Sequence, residues 1–330
     1  MTVLPMNNLQ LLLFQTINPT TSKHATQQLA SLEKDPTFTL NLLNLINDAN
    51  DSNLQLTGAI YLKNFMKKYY HEENIIPNET KNLVKSNIVE LCLKLNQQVQ
   101  FQLYDVVNII ADCDFPDQWG DLIPALVNKF EMNSPSRANV SALQIVHGVI
   151  SRWKGEYKSD HLFSQLKLVL SQFCVPYLEL FKRTDMALDQ LLLDPNQHKE
   201  KLSLVLETIL LLLNIHLDFI GHDLPEFFED NASTFFQLFL KYLKLDLKLN
   251  TENHDEPGFN EKIKTCICEI VDVFAKRYEN EFEMLPTFVE NIWNLLVTTG
   301  LESKNDLVCA AVNYFDIKLF LSWLAKQLDF

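Results

Sequence analysis

An all-α fold of stacked helical hairpins is what this sequence predicts, on three observations. Apolar residues recur at helical spacing: Leu83, Ile88, Leu91 and Leu95 follow one face, as do Leu103, Val106, Val107, Ile110 and Ala111. Glycine is scarce, with 7 in 330 residues, too few for the tight turns of a many-stranded sheet or for a glycine-rich nucleotide fold. Prolines that read as helix openers stand at Pro36, Pro77 and Pro116, 41 and 39 residues apart. Each is followed by an apolar helix, a polar break and a second helix. No convincing period-two strand interrupts this pattern.

A two-helix unit repeating at roughly 40 residues has the HEAT or armadillo period. The expected fold class is therefore a right-handed α-solenoid of about seven HEAT-like hairpins, with pairs near 6–34, 36–70, 77–113, 117–153, 159–221, 225–278 and 279–324. The sharpest boundary is Asp114-Phe115-Pro116-Asp117-Gln118-Trp119. Pro116 removes an amide donor and disfavours the α conformation at Phe115, so it ends one helix, and its fixed φ suits the first turn of the next. Phe115 and Trp119 flank the corner and are expected to pack between the two helices. A second signal is apolar-Pro-x-apolar early in a helix, at Pro124, Pro176, Pro225 and Pro286, where a proline bends or starts the first helix of a pair. Loops are expected at Met132–Arg137, Asp185–Lys199 and the acidic Asn250–Gly258.

With 47% hydrophobic and 21% charged residues the chain has ample apolar surface for a folded core. The formal net charge of −14 and pI near 5.0 argue against nucleic acid as a ligand, because phosphate recognition needs a basic face. Basic protein surfaces are the natural complement. The six cysteines lie inside apolar helical patterns, which fits a reducing compartment. Only Cys266 and Cys268 are closely spaced, and without a second Cys or His pair they read as buried thiols rather than metal ligands. The patch Leu9 to Phe14 lacks the basic residue and small-residue cleavage site of a signal peptide. The greasiest run, Leu202 to Ile220, contains Glu207, Asn214, His216 and Asp218, so a buried helix is expected and no membrane insertion.

No phosphate loop or nucleophile elbow is present, and the histidines never pair with Cys, His or Glu at metal spacing. His147 and His216 sit in apolar helical runs and read as core or groove residues. Glu226, Glu229 and Asp230 open a helix, where carboxylates complement the macrodipole. No active site and no cofactor are expected. The chemistry to look for is binding, on the exposed face of the second helix of each pair. In the second pair, Lys63 and Lys67 lie one turn apart, with Asn64 and Lys68 beside them. In the third, Asp105, Asn108 and Asp112 recur at spacings of three and four and form a polar stripe.

Leu56-Thr57-Gly58-Ala59, Leu62-Lys63-Asn64-Phe65 and the Ile110 to Trp119 corner resemble the N-terminal repeats of the importin-β superfamily of transport receptors. Within it, Ser151-Arg152-Trp153, Ser159-Asp160-His161-Leu162-Phe163, Pro225-Glu226-Phe227-Phe228-Glu229-Asp230-Asn231 and Ile292-Trp293-Asn294-Leu295-Leu296 are similar to the exportin-2 family, which returns importin-α to the cytoplasm. The resemblance runs from about residue 8 to about residue 310 and covers the first third of the family's length. It implies a receptor that shuttles between nucleus and cytoplasm and binds the small GTPase Ran in its GTP form cooperatively with importin-α. Nucleoporins are further candidate partners. Carried onto this sequence, the Ran-facing residues are Lys63, Asn64, Lys67, Asp105 and Asn108. The implied organisation is an importin-β-like region over 1–153, further hairpins over 154–312 and a divergent end over 313–330. The alternatives are a generic HEAT scaffold and an import receptor of the same superfamily.

Overall fold

A computed structural model describes residues 6–72, 75–245, 247, 258–278 and 282–299. The expected loop at Asn250–Gly258, the C-terminal part of the last expected hairpin and the stretch 313–330 lie outside the described residues, save for Gly258 itself. Among the described residues the elements are helices: α1 (Met6–Ile17), α2 (Ser22–Leu32), α3 (Phe38–Asp48), α4 (Ser52–Tyr69), α5 (Asn78–Lys94), α6 (Gln97–Asp114), α7 (Leu122–Val127) and α8 (Arg137–Ser151). They continue as α9 (Asp160–Leu191), α10 (Lys199–Ile220), α11 (Glu226–Asp230), α12 (Ala232–Lys244), α13 (Phe259–Arg277) and α14 (Leu285–Thr299). The breaks fall at the expected hairpin boundaries. The chain forms two compact units, Met1–Phe130 with Gln144–Val149 and Glu131–Leu143 with Ile150–Phe330.

In the first unit each hairpin closes on itself, α1 on α2, α3 on α4 and α5 on α6, and successive hairpins stack through α4 against α6 and α3 against α5. Local chemistry starts the second helices. The Asp51 side chain accepts from the Asn53 amide at the head of α4, and that of Asn96 accepts from the Val99 amide at the head of α6, each supplying an acceptor to an orphan donor of the first turn. Apolar rows then bury Leu62, Phe65 and Met66 on α4 and Leu103, Val106, Val107 and Ile110 on α6. These rows make the two helices adhere side by side.

The second unit is built on aromatic side chains. Phe173, Tyr177 and Phe181 of α9, Phe219 of α10, Phe228 of α11 and Phe235, Phe239 and Tyr242 of α12 form one cluster. The Tyr177 hydroxyl donates to the Leu212 carbonyl at 2.9 Å. Inside the cluster lies His216, 1% exposed, with its ring edge-on to Phe228, Phe235 and Phe239 at centroid distances of 4.8, 4.8 and 5.1 Å. Neither imidazole nitrogen has a hydrogen-bond partner. Burial accordingly pushes its pKa down to about 3. The expected core histidine is thus a neutral one. The helix α10 that carries it is long and apolar enough to cross a membrane by length and composition, yet most of it is buried inside this unit.

Cys266 and Cys268 on α13 are both buried, and burial pushes the Cys268 thiol up to about 12. Cys309 lies outside the described residues. Glu226, Glu229 and Asp230 do open a helix, α11, whose N-cap is Pro225.

Three expectations fail for identifiable reasons. Pro116 does not start a helix: the Phe115–Pro116 peptide is cis, residues 115–121 form a turn, and α7 begins only at Leu122. Pro176 does not stand early in a helix but sits midway along the 32-residue α9. Its neighbours Phe173, Tyr177 and Phe181 are buried in the aromatic cluster, and that packing carries the helix across the missing hydrogen bond. The loop expected from Asp185 begins only after Leu191, because Leu188 is buried and Lys241 of α12 bridges Asp185 at 2.7 Å and Asp189 at 2.6 Å.

Candidate functional site

Side-by-side packing of α4 and α6 turns the two predicted polar rows into one surface. Lys63 Nζ lies 3.4 Å from Asp105 Oδ2, so the basic row of α4 and the acidic row of α6 meet across the helix contact. The Lys63 side chain is 27% exposed and that of Asp105 55% exposed, and Asn64 and Lys67 are exposed beside them. An exposed pair of this kind contributes little to stability. Both members stay open to water, so a charged group from solution can exchange with either.

Lys68 belongs elsewhere. It pairs with Glu33 of the preceding hairpin at 3.7 Å and stands 4.4 Å from the centroid of the Tyr69 ring. Glu33 also accepts from the hydroxyls of Tyr61 at 2.7 Å and Tyr69 at 2.8 Å, tying α4 to the hairpin before it. Burial, reinforced by Glu33, raises the Tyr61 pKa above its ordinary value.

Asn108 also differs from its expected place. It is only partly exposed, and its Oδ1 is buried without a hydrogen-bond partner against Gly148 of α8. A Cβ at position 148 would stand 2.4 Å from that oxygen, so the missing side chain is what admits Asn108. Gly148→Ala should gain about 1 kcal/mol of helix propensity when Asn108 is alanine and lose that gain when Asn108 is present. A double-mutant cycle on urea midpoints measures the difference, and additive effects would show that the contact carries no energy.

Two members of the face were not expected from sequence. Ile60 is 39% exposed and Phe101 48% exposed. Helical geometry aligns Ile60 with Lys63, Asn64 and Lys67, and Phe101 with Asp105, Asn108 and Asp112. The signal was the positions that continue each polar row by one turn, and apolar residues there read as core.

The corner below α6 determines where this row points. Asp114 Oδ2 accepts from the Tyr70 hydroxyl at 2.6 Å and from Lys85 Nζ at 2.5 Å, and all three residues are buried. Lys85 donates further to the Gln118 carbonyl at 3.1 Å, while Lys81 donates to the Tyr70 carbonyl at 3.0 Å and lies 4.4 Å from the centroid of its ring. Phe115 and Trp119 are buried, as expected for the corner. The end of α4, the middle of α5 and the end of α6 are thereby joined at one polar knot. Burial and the Asp114 carboxylate raise the Tyr70 pKa, so the phenol stays protonated and donating.

A stack of helical hairpins that aligns its second helices into a charged face defines a HEAT-repeat binding protein. Residues 25–94, which include α4, match the importin-beta N-terminal domain. Residues 149–321 match the Cse1 family model, more than half of the chain, and the chain belongs to the Cse1 family. Among curated relatives, the importin-alpha re-exporter of Schizosaccharomyces pombe is 37% identical over 91% of this chain and 31% of its own length. Exportin-2 of Homo sapiens is 35% identical over 88% of this chain and 30% of its own length. The chain therefore spans about a third of the length of the relatives it matches. A solved structure described as the exportin Cse1 in its cargo-free, cytoplasmic state superposes with a TM-score of 0.87 at 31% identity, covering 94% of this chain and 34% of the exportin. Kap121p bound to Nup53p shares the fold at a TM-score of 0.51 and 13% identity, over 94% of this chain and 33% of that one. The all-α HEAT-repeat class expected from periodicity is the class these structures share.

Proposed function

We propose that this chain is a Ran-GTP-binding portion of a nuclear export receptor whose cargo is importin-α, working between nucleus and cytoplasm. The observation that carries the proposal is the bridged α4–α6 face, Lys63 to Asp105, whose α4 half lies within the region matching the importin-beta N-terminal domain, in a chain whose relatives are named as exporters. Lys63, Asn64, Lys67 and Asp105 present donors and acceptors to the GTPase, Ile60 and Phe101 add apolar contact, and Asn108 supports the row from beneath. The mechanism is linkage. Ran-GTP and importin-α each favour one arrangement of the hairpins, so each raises the other's affinity, and GTP hydrolysis on Ran releases both. The receptor itself contributes no bond-making chemistry.

The test is to immobilise the chain and compare Ran-GTP with Ran-GDP, each with and without importin-α. GTP-selective binding is expected, and Lys63→Glu with Lys67→Glu should weaken it about tenfold. Equal binding of the two nucleotide states would leave a general HEAT scaffold as the better description. Undiminished GTP-selective binding by the charge-reversed chain would move the contact away from α4.

A further inference from the structure

The second unit carries an apolar groove that none of the foregoing uses. One wall is a stripe of α9 on which Phe163, Lys167, Ser171 and Val175 follow one another four residues apart with Leu170 beside them, and the other is Phe219 of α10 with the turn from Asp223 to Phe227. The groove encloses about 540 Å³, within the range of roughly 300–1,000 Å³ typical of ligand sites. Its apolar lining is open to water: Val175 is 73% exposed and Phe163 38% exposed, on a helix whose opposite side fills the aromatic core. Apolar side chains open to water along one groove can be covered by the apolar side chains of a partner.

The charges on its walls say what kind. Lys167 on α9 is exposed, and across the groove Asp223 and Glu226 are exposed. Two carboxylates against one ammonium disfavour a phosphate backbone or an anionic lipid surface. They favour a segment whose cationic side chain faces the turn while its apolar side chains enter the groove. We propose that this groove docks a short segment of a partner protein bearing one or two large apolar side chains next to a lysine or arginine. The site is independent of the α4–α6 face and does not rest on the Ran reading.

Peptide selection tests it. Short random peptides displayed on phage are selected on the full chain, with the Val175→Glu chain as counter-selector. Val175 is exposed, so this variant should melt with the wild-type protein. The expected consensus pairs large apolar residues with a Lys or Arg, and a selected peptide should bind Val175→Glu about tenfold more weakly. A chain carrying Asp223→Lys and Glu226→Lys should then prefer the same peptide with its basic residue changed to Glu. The proposal is overturned if no consensus emerges, if selected peptides are acidic, or if they bind Val175→Glu equally well. It is overturned too if the chain self-associates and Val175→Glu abolishes that association, since the occupant would then be a second copy.

Discussion

Acidification from pH 7 to pH 5 is expected to cost the second unit about 2 kcal/mol through His216 alone. In the unfolded chain this imidazole has an ordinary pKa near 6.5, whereas in the aromatic cage it is pushed down to about 3 by burial. Above pH 6.5 both states hold it neutral and stability is complete. Between 6.5 and 3 the unfolded state takes up a proton that the folded state refuses, so stability falls steadily with pH across that window and levels off below it. The rings packed edge-on to it, Phe228, Phe235 and Phe239, neither titrate nor offer an acceptor to an imidazolium. Other groups also protonate over this range, which makes the His216→Leu chain the necessary reference. Leucine leaves no polar group behind, because neither ring nitrogen is partnered. Urea midpoints followed at both pH values should show the wild type losing about 2 kcal/mol more than His216→Leu. Equal losses would mean that the folded cage accepts the proton, by opening or by admitting water.

The hairpin boundaries were legible because they rest on local physics. The apolar row of α6 and the proline at the head of α5 each act within a few residues and the structure keeps them, whereas Leu83, expected on the apolar face of α5, is 48% exposed. What was illegible depended on contacts between segments distant in sequence. Pro176 read as a proline early in a helix, whereas it sits midway along α9 with rings packed on either side of it. Asp185 and Asp189 looked like loop residues until Lys241, more than fifty positions away, drew them into a helix. The candidate face divides the same way. The rows Lys63–Lys67 and Asp105–Asp112 could be read from spacing, but the meeting of Lys63 with Asp105 and the withdrawal of Asn108 onto Gly148 required the neighbouring helices. Asp114 was the largest omission. At the end of an amphipathic run it read only as the first residue of a hairpin boundary, whereas it is 5% exposed and holds the buried Lys85.

That cation makes Asp114→Ala the most damaging single change expected in the first unit, at about 3–5 kcal/mol. Alanine removes the partner of Lys85 and the acceptor of the Tyr70 hydroxyl together, leaving a buried ammonium with only the Gln118 carbonyl. Asp114→Asn keeps an acceptor for the phenol but not the charge, and should fall between alanine and wild type. The pair itself need not be strongly stabilising, because taking two ions out of water offsets most of their attraction. Replacing both, with Lys85→Met and Asp114→Leu, should therefore cost far less than Asp114→Ala alone. Urea unfolding followed through the buried Trp119 reports on the corner directly. A double replacement as unstable as the single one would show that the knot is needed for its hydrogen bonds rather than for charge balance. The same substitution should also weaken the proposed GTP-selective binding of Ran without altering any of the residues proposed to touch it, since the end of α6 is held at Asp114 and the row from Phe101 to Asp112 rides on that helix. Restoring stability with the Met and Leu pair should restore the binding as well. If binding stays weak in a chain of normal stability, Asp114 or Lys85 contributes to the partner interface itself.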